Sequence, residues 1–213
     1  MGYTSNDRNE KGEWQPRGEI CLKGPAVFMG YYKDTAKTKE AIDEDGWLHT
    51  GDVGTILPEN GAVKIIDRKK NIFKLQQGEY VAAEKVEAVY LKEGRLEEVF
   101  LHGESTQNFA VAVIIPAKPF IRELIGGAED NQQARLNERP VREKILAILN
   151  DSAKKSGLMS FEQAKNIFVE VKPFALQGIV SSTMKLQRHE AKKFYKKEID
   201  EMYREGMLGG KKE

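Results

Sequence analysis

A length of 213 residues suffices for one ordinary domain, or for a small domain joined to a piece of another. With 40% hydrophobic and 31% charged residues, the composition reads as soluble and globular with a well-solvated surface. The 34 basic and 33 acidic side chains leave a formal charge of +1, which argues against a polyelectrolyte partner, since non-specific nucleic-acid binding needs a net basic face. The first fifteen residues carry no apolar core, so no secretory leader is expected there. The longest apolar run, Phe109 to Ile115, falls far short of the about 20 residues a spanning helix needs. Cys21 is the single cysteine and cannot form an internal disulfide; it reads as a small buried side chain in a reducing compartment.

In chain order, Met1 to Gln15 predicts a loop-rich opening. Gly18 to Gly24 predicts a short strand, and Asp34 to Ile42 a short helix begun by an aspartate cap. Three glycines in Gly46 to Gly54 predict turns. Ala62 to Ile66 reads as a strand that Asp67 to Asn71 breaks, with extended chain resuming from Ile72 to Leu75. Beyond Lys70 the texture changes. Ala83 to Leu91 predicts an amphipathic helix, with Val86, Val89 and Tyr90 on one side. Leu96 to Leu101 and Phe109 to Ile115 predict a strand pair ended by Pro116 and Pro119. Helices are expected over Val141 to Lys155 and Phe161 to Lys165, a strand over Ile167 to Val171 and a terminal helix over His189 to Tyr203. Helices mixed with a few antiparallel strands make the fold class α+β.

Three segments carry chemistry. Thr50 to Gly54 (TGDVG) sets a carboxylate among glycines, where Asp52 could accept two hydrogen bonds from a vicinal diol; on its own the pair reads first as a turn cap. Asp67 to Lys74 (DRKKNIFK) places three successive cations between apolar stretches. It serves as a solvated turn, or offers the planar fork of Arg68 to a hydroxyl or phosphate and Lys74 as a point charge. Ser181 to Lys197 opens with Lys185 behind small hydroxyl residues, either as a basic helix start or as a lysine reaching a phosphate in one conformation only. No set of metal ligands stands out.

The order of these pieces is distinctive. GEICLKGPAVFMGYY, GWLHTGD, DRKKNIFKLQQGEYVAAEKVE and STMKLQR together resemble the closing motifs of adenylate-forming enzymes, and DRKKNIFKLQQGEY resembles those of long-chain fatty-acyl-CoA synthetases. The resemblance runs from about Pro16 to the last helix. It implies the small C-terminal domain of that superfamily, a short antiparallel sheet flanked by helices, preceded by a few strands from the end of the large N-terminal domain. The implied division is 1–67, a hinge at 68–70, and a mobile domain over 71–213. The implied reaction activates a fatty acid with ATP through an acyl-adenylate and passes it to CoA, with magnesium. By motif, Asp52 would hold the ribose hydroxyls with Arg68 beside it, and Lys70 would be the hinge. Lys185 would bridge the fatty carboxylate and the α-phosphate. Lys74 and the Gln77-Gly78-Glu79 strand would shape the CoA channel, Gly78 letting the pantetheine arm approach the backbone. Glu87 would be structural.

Ala83 and Ser181-Ser182-Thr183 depart from the family's usual prolines, which bears on positioning and removes no charge. The phosphate-gripping Ser/Thr/Gly segment and the fatty-acid tunnel are missing, so the chain is expected to be roughly the last third of the enzyme, inactive alone and needing the absent N-terminal domain. Membrane association is then expected only through absent regions, and the location is intracellular, in the cytosol or on a membrane's cytosolic face. The alternatives are a stand-alone binding or regulatory module that docks to a separate large domain, and a basic patch over Lys185 to Lys197 for nucleic acid or an anionic membrane. Acidic residues follow that stretch and aromatic platforms are lacking, so no nucleic-acid partner is expected.

Overall fold

Along Ala110–Pro116 every residue is buried, and alternate side chains enter different cores. Ala110, Ala112 and Ile114 pack with one hydrophobic cluster, Val111, Val113 and Ile115 with another. A strand has a side-chain period of two, so a strand apolar at every position must be covered on both faces. The computed structural model, which describes residues 3–126 and 130–209, meets that demand with two layers of helices.

The chain divides into two compact units, one ending at Ile72 and the other beginning at Phe73. The first holds an antiparallel sheet of β1 (Arg17–Leu22), β2 (Leu48–Ile56) and β3 (Val63–Arg68), with β2 in the middle. Helix α1 (Thr35–Ala41) starts where the Lys37 N–H donates to Asp34 Oδ1 at 2.9 Å. The predicted turns are present at Gly46, whose N–H donates to Asp43 O at 3.0 Å, but from Leu48 the glycine-rich stretch is the strand β2, its register against β1 shifting between His49 and Val53, around Gly51 at φ +73°. The strand is paired on both sides, and Thr50 and Thr55 hydroxyls add hydrogen bonds to the carbonyls of Ile20 and Pro16. Tertiary pairing overrides the local preference of glycine. β3 also runs on through Asp67 to Arg68 before a 3-10 turn over Lys69–Asn71.

In the second unit, β4 (Ile72–Lys74, which starts one residue earlier) and β5 (Tyr80–Ala82) form a two-stranded ribbon, and α2 (Ala83–Leu91) follows directly. The predicted Gln77-Gly78-Glu79 strand is instead the turn between them, closed by Gly78 N–H to Leu75 O at 2.9 Å and Leu75 N–H to Glu79 O at 2.8 Å. β6 (Leu96–His102), β7 (Ala110–Pro116) and β8 (Ala164–Val169) form the main sheet, with β7 central. β6–β7 is antiparallel as predicted, but β7–β8 is parallel. The long connection makes this possible: α3 (Lys118–Ile125), α4 (Gln132–Leu136) and α5 (Arg139–Lys155) lie between β7 and β8. Sequence patterning predicts neither α3 nor α4. Pro119 sits in the first turn of α3, where a missing N–H costs nothing. Phe161 to Lys165 is no helix, since pairing with β7 takes the chain into β8 from Ala164.

Helices α2 and α5 cover one face of the sheet, with Val86, Tyr90, Ile145 and Leu149 fully or almost fully buried. The predicted terminal helix is two, α6 (Arg188–Phe194) and α7 (Lys196–Glu205), broken at buried Tyr195 and covering the other face through Ala191, Ile199 and Met202. Asn166 of β8 donates to the carbonyls of Met202 and Gly206, and its Oδ1 accepts from Arg142 of α5. Arg142 in turn makes a two-pronged pair with Glu205 at 2.8 Å on each arm. These bonds tie the opposite helix layers together at one sheet edge. The mixture of helices and small sheets is α+β, as expected from sequence. No helix among the described residues is long and apolar enough to cross a membrane.

Candidate functional site

In the first unit an open cleft of about 700 Å³ is lined by residues from all three strands, from α1 and from the turn after β3. Asp52, Arg68 and Lys70 all line it. Antiparallel register sets Asp52 of β2 across from Arg68 of β3, and the Arg68 Nε stands 3.7 Å from Asp52 Oδ1. Both groups remain accessible, so the pair is an attraction between hydrated charges, open to a third party that bonds both. Thr50 holds the carboxylate's backbone: its Oγ1 accepts from Asp52 N–H at 3.1 Å. Asp67 is buried, and its Oδ1 accepts from the Arg68 N–H at 2.6 Å and from Asn71 Nδ2 at 3.3 Å. That bond fixes the backbone from which the Arg68 side chain departs. Lys70 is exposed on the 3-10 turn.

His49 lies on the same wall, between two carboxylates. Its Nε2 is 3.1 Å from Asp43 Oδ2 and its Nδ1 is 3.4 Å from Glu19 Oε2. The bond to Asp43, then that to Glu19, raises the imidazole above its ordinary range. Burial opposes ionisation of Glu19, but hydrogen bonds from Lys69 and His49 hold its carboxyl below the usual value. Burial, with the nearby charges of Glu19 and Asp43, pushes the half-buried Cys21 thiol up. No motif in the sequence nominates Glu19, Asp43 or His49. A signal for them exists in the alternation of Glu19 with Cys21 on a strand, but it needs the strand partner to become visible.

Lys74, Gly78 and Lys185 belong to the second unit. The Lys74 ammonium lies 5.5 Å from the centroid of the Tyr80 ring, a cation–π contact across the ribbon. Gly78 has φ +98°, a conformation that side chains rarely adopt, and nothing lies within 4 Å of where a Cβ would stand. Its turn is pinned by Gln76 N–H to Gln107 O at 2.8 Å and Gln77 Nε2 to Asn108 O at 3.1 Å. Lys185 is exposed on a separate, tightly closed loop. Val180 and Leu186 bridge its base, Ser181 N–H donates to Lys185 O at 2.8 Å, and Lys185 N–H donates to Ser181 Oγ at 3.2 Å. Met184, just before the lysine, takes φ +60° without being glycine. The Lys185 ammonium makes no ion pair among the described residues. Arg188, which sequence reasoning did not single out, anchors the loop's far end by donating to Leu101 O at 3.2 Å and to Glu87 Oε2.

Comparison with known proteins gives this arrangement its context. No family model matches the chain. It is 44% identical over 203 residues to long-chain-fatty-acid–CoA ligase 6 of Rattus norvegicus, covering 92% of this chain and 29% of that protein. To long-chain-fatty-acid–CoA ligase 5 of Mus musculus it is 46% identical over 189 residues, covering 87% of this chain and 28% of the relative. Among solved structures it resembles the A domain of carboxylic acid reductase from Segniliparus rugosus, determined with AMP and a co-purified carboxylic acid. There the TM-score is 0.80 at 30% identity, over 96% of this chain and 30% of that one. The chain thus spans less than a third of the length of each of these three proteins.

Proposed function

We propose that this chain, whose homologues are long-chain-fatty-acid–CoA ligases and whose fold is that of adenylate-forming enzymes, is the piece of such a ligase that holds the nucleotide's ribose and delivers the adenylation lysine. The observation that carries the reading is the cross-strand Asp52–Arg68 pair on the wall of an open cleft. A carboxylate with free lone pairs beside a planar guanidinium suits a vicinal diol: Asp52 accepts from both hydroxyls while Arg68 donates to one of their oxygens. The full enzyme joins a fatty acid to ATP, releasing pyrophosphate, and then exchanges AMP for the CoA thiol. Lys185 brings its ammonium to the oxygens around phosphorus, where negative charge develops, and so stabilises the transition state more than the ground state.

Residues 68–70 serve as the hinge between the end of a large N-terminal domain and a small mobile one, with Lys70 at the pivot. After pyrophosphate leaves, rotation there withdraws Lys185 and presents Lys74 and the Gly78 turn to the pantetheine arm of CoA. The open space above Gly78 supports that role, because a backbone without a side chain can line a narrow channel. Magnesium belongs to the nucleotide's phosphates. The one three-donor group among the described residues, Glu19, Cys21 and His49, includes a thiol and an imidazole, a donor set unsuited to it.

Two assays decide the matter. Given palmitate, ATP, magnesium and CoA, the 213-residue chain alone makes no acyl-CoA. Joined to the rest of a long-chain ligase, it forms acyl-adenylate, and Lys185→Ala slows that half-reaction by about 100-fold or more. Turnover by the isolated chain, or an unchanged adenylation rate in the variant, would overturn the proposal.

A further inference from the structure

Glu19 and Cys21 are two residues apart on β1, the spacing that returns a strand to the same face, and although the β1–β2 register shifts between them their donor atoms lie within 4.8 Å of each other. Antiparallel register places His49 of β2 across from Cys21. The result is a triangle of metal-ligating atoms: His49 Nδ1 is 3.5 Å from Cys21 Sγ and 3.4 Å from Glu19 Oε2, and all three atoms lie within 4.8 Å of one another. On a tetrahedral zinc ion, with Zn–S about 2.3 Å and Zn–N and Zn–O about 2.0–2.2 Å, neighbouring donors stand roughly 3.3–3.6 Å apart. The spacing of these side chains already matches two edges of that tetrahedron.

The other side of the imidazole is equally arranged. Nε2 donates to Asp43 Oδ2 at 3.1 Å, and Asp43 Oδ1 is held by the N–H groups of Trp47 at 2.8 Å and Asp45 at 3.1 Å. A metal-binding histidine usually gives its second N–H to a carboxylate, which fixes the ring and makes the free nitrogen a better ligand. With Asp43 taking the Nε2 proton, Nδ1 is the nitrogen that faces Cys21 and Glu19.

We propose that Glu19, Cys21 and His49 form a binding site for a divalent cation of the zinc class, with Asp43 orienting His49. The donor set is soft enough to exclude magnesium. All three ligands are half-buried, so the site is reachable, and three protein ligands leave a fourth position for water. Binding releases the Cys21 thiol proton, and any proton on Nδ1, to solvent. It also displaces the Lys69 ammonium, which otherwise sits 2.9 Å from Glu19 Oε2 and competes for the same carboxylate.

The test is titration of the 213-residue chain with Co²⁺ as a coloured stand-in. One equivalent should produce a thiolate-to-cobalt charge-transfer band, bleached by Zn²⁺ and unaffected by excess Mg²⁺. Cys21→Ser should abolish the band, and Asp43→Asn should weaken cobalt binding by about 10-fold or more. Lys69→Met should tighten it, a gain that misfolding cannot imitate. Absence of the band in the parent chain, its survival in Cys21→Ser, or unchanged affinity in Lys69→Met would overturn the proposal. The readout is independent of ligase activity, so its failure leaves the adenylate reading untouched.

Discussion

Arg188, the first residue of α6, forms an ion pair with Glu87 of α2, and both side chains are largely buried. Glu87 also accepts the Leu101 N–H at 2.7 Å, so each carboxylate oxygen has its own donor. Arg188 lies three residues beyond Lys185, and this pair therefore fastens the lysine-bearing loop to the helix packed on the sheet.

Burial, opposed by Arg188 and by the Leu101 N–H, pushes the Glu87 carboxyl from 4.5 up to about 7. A carboxyl whose pKa rises on folding holds its proton more tightly in the folded state. Its stabilising contribution is complete below about pH 4.5 and is lost as the pH climbs through about 7. Urea midpoints measured across that window should show the parent chain falling relative to Glu87→Gln as pH increases. A difference that stays constant with pH contradicts the assignment.

Asp52→Asn, in a chain joined to the remainder of the ligase, should raise KM for ATP by about 10- to 100-fold. That is the range for losing hydrogen bonds to a charged acceptor, about 1.5–3 kcal/mol. Fold stability should barely change, because the accessible Asp52–Arg68 pair contributes at most about 1 kcal/mol. Nucleotide titration and thermal unfolding of the same variant separate the two effects, and an unaltered KM would remove Asp52 from the ribose.

Gly103 leaves no room for a side chain unless the Phe73 ring shifts. A Cβ there would stand 2.1 Å from Cε2 of Phe73 and 2.5 Å from its Cδ2. Gly103→Ala should cost about 1–3 kcal/mol through overpacking, and the double variant with Phe73→Leu should recover part of the loss. Denaturant unfolding of the three variants checks this; additive losses would place the cause elsewhere.

Tyr90 is fully buried, and its hydroxyl donates to Asn150 Oδ1 at 2.9 Å while accepting the Ala164 N–H at 2.9 Å. The same buried oxygen thus joins α2, α5 and the start of β8. Tyr90→Phe leaves a strand N–H and an amide oxygen without their partner, and should destabilise the second unit by about 1–3 kcal/mol. Amide exchange at Ala164 should quicken in the variant; protection equal to the parent's would show that another acceptor takes over.

Much of the architecture was legible where a pattern is local. Asp34 capping α1, the amphipathic run of α2 and the β6–β7 pair each depend on residues close in sequence. Expectation and structure part where a distant partner decides. The glycines around Asp52 signal turns, yet β1 and β3 hold that stretch as a central strand. Ala164 to Lys165 reads as helix until β7 claims it as a parallel neighbour. The same limit applies to the site. Asp52 and Arg68 could be nominated singly, but their pairing is a matter of register between strands. His49 with Cys21 and Glu19 is wholly non-local, since nothing in the His49 neighbourhood names residues near the start of the chain.

The central position of β7 also dictates an order of assembly. Its antiparallel partner β6 is close behind it on the chain, so that hairpin can close early, whereas β8 begins only at Ala164. During synthesis an apolar edge running from Ala110 to Ile115 therefore waits, unpaired and attractive to any other extended chain, until α3, α4 and α5 have been made. Closing that long crossover is expected to limit the folding rate of the second unit, and a nascent chain arrested before β8 is the species a chaperone would have to shield.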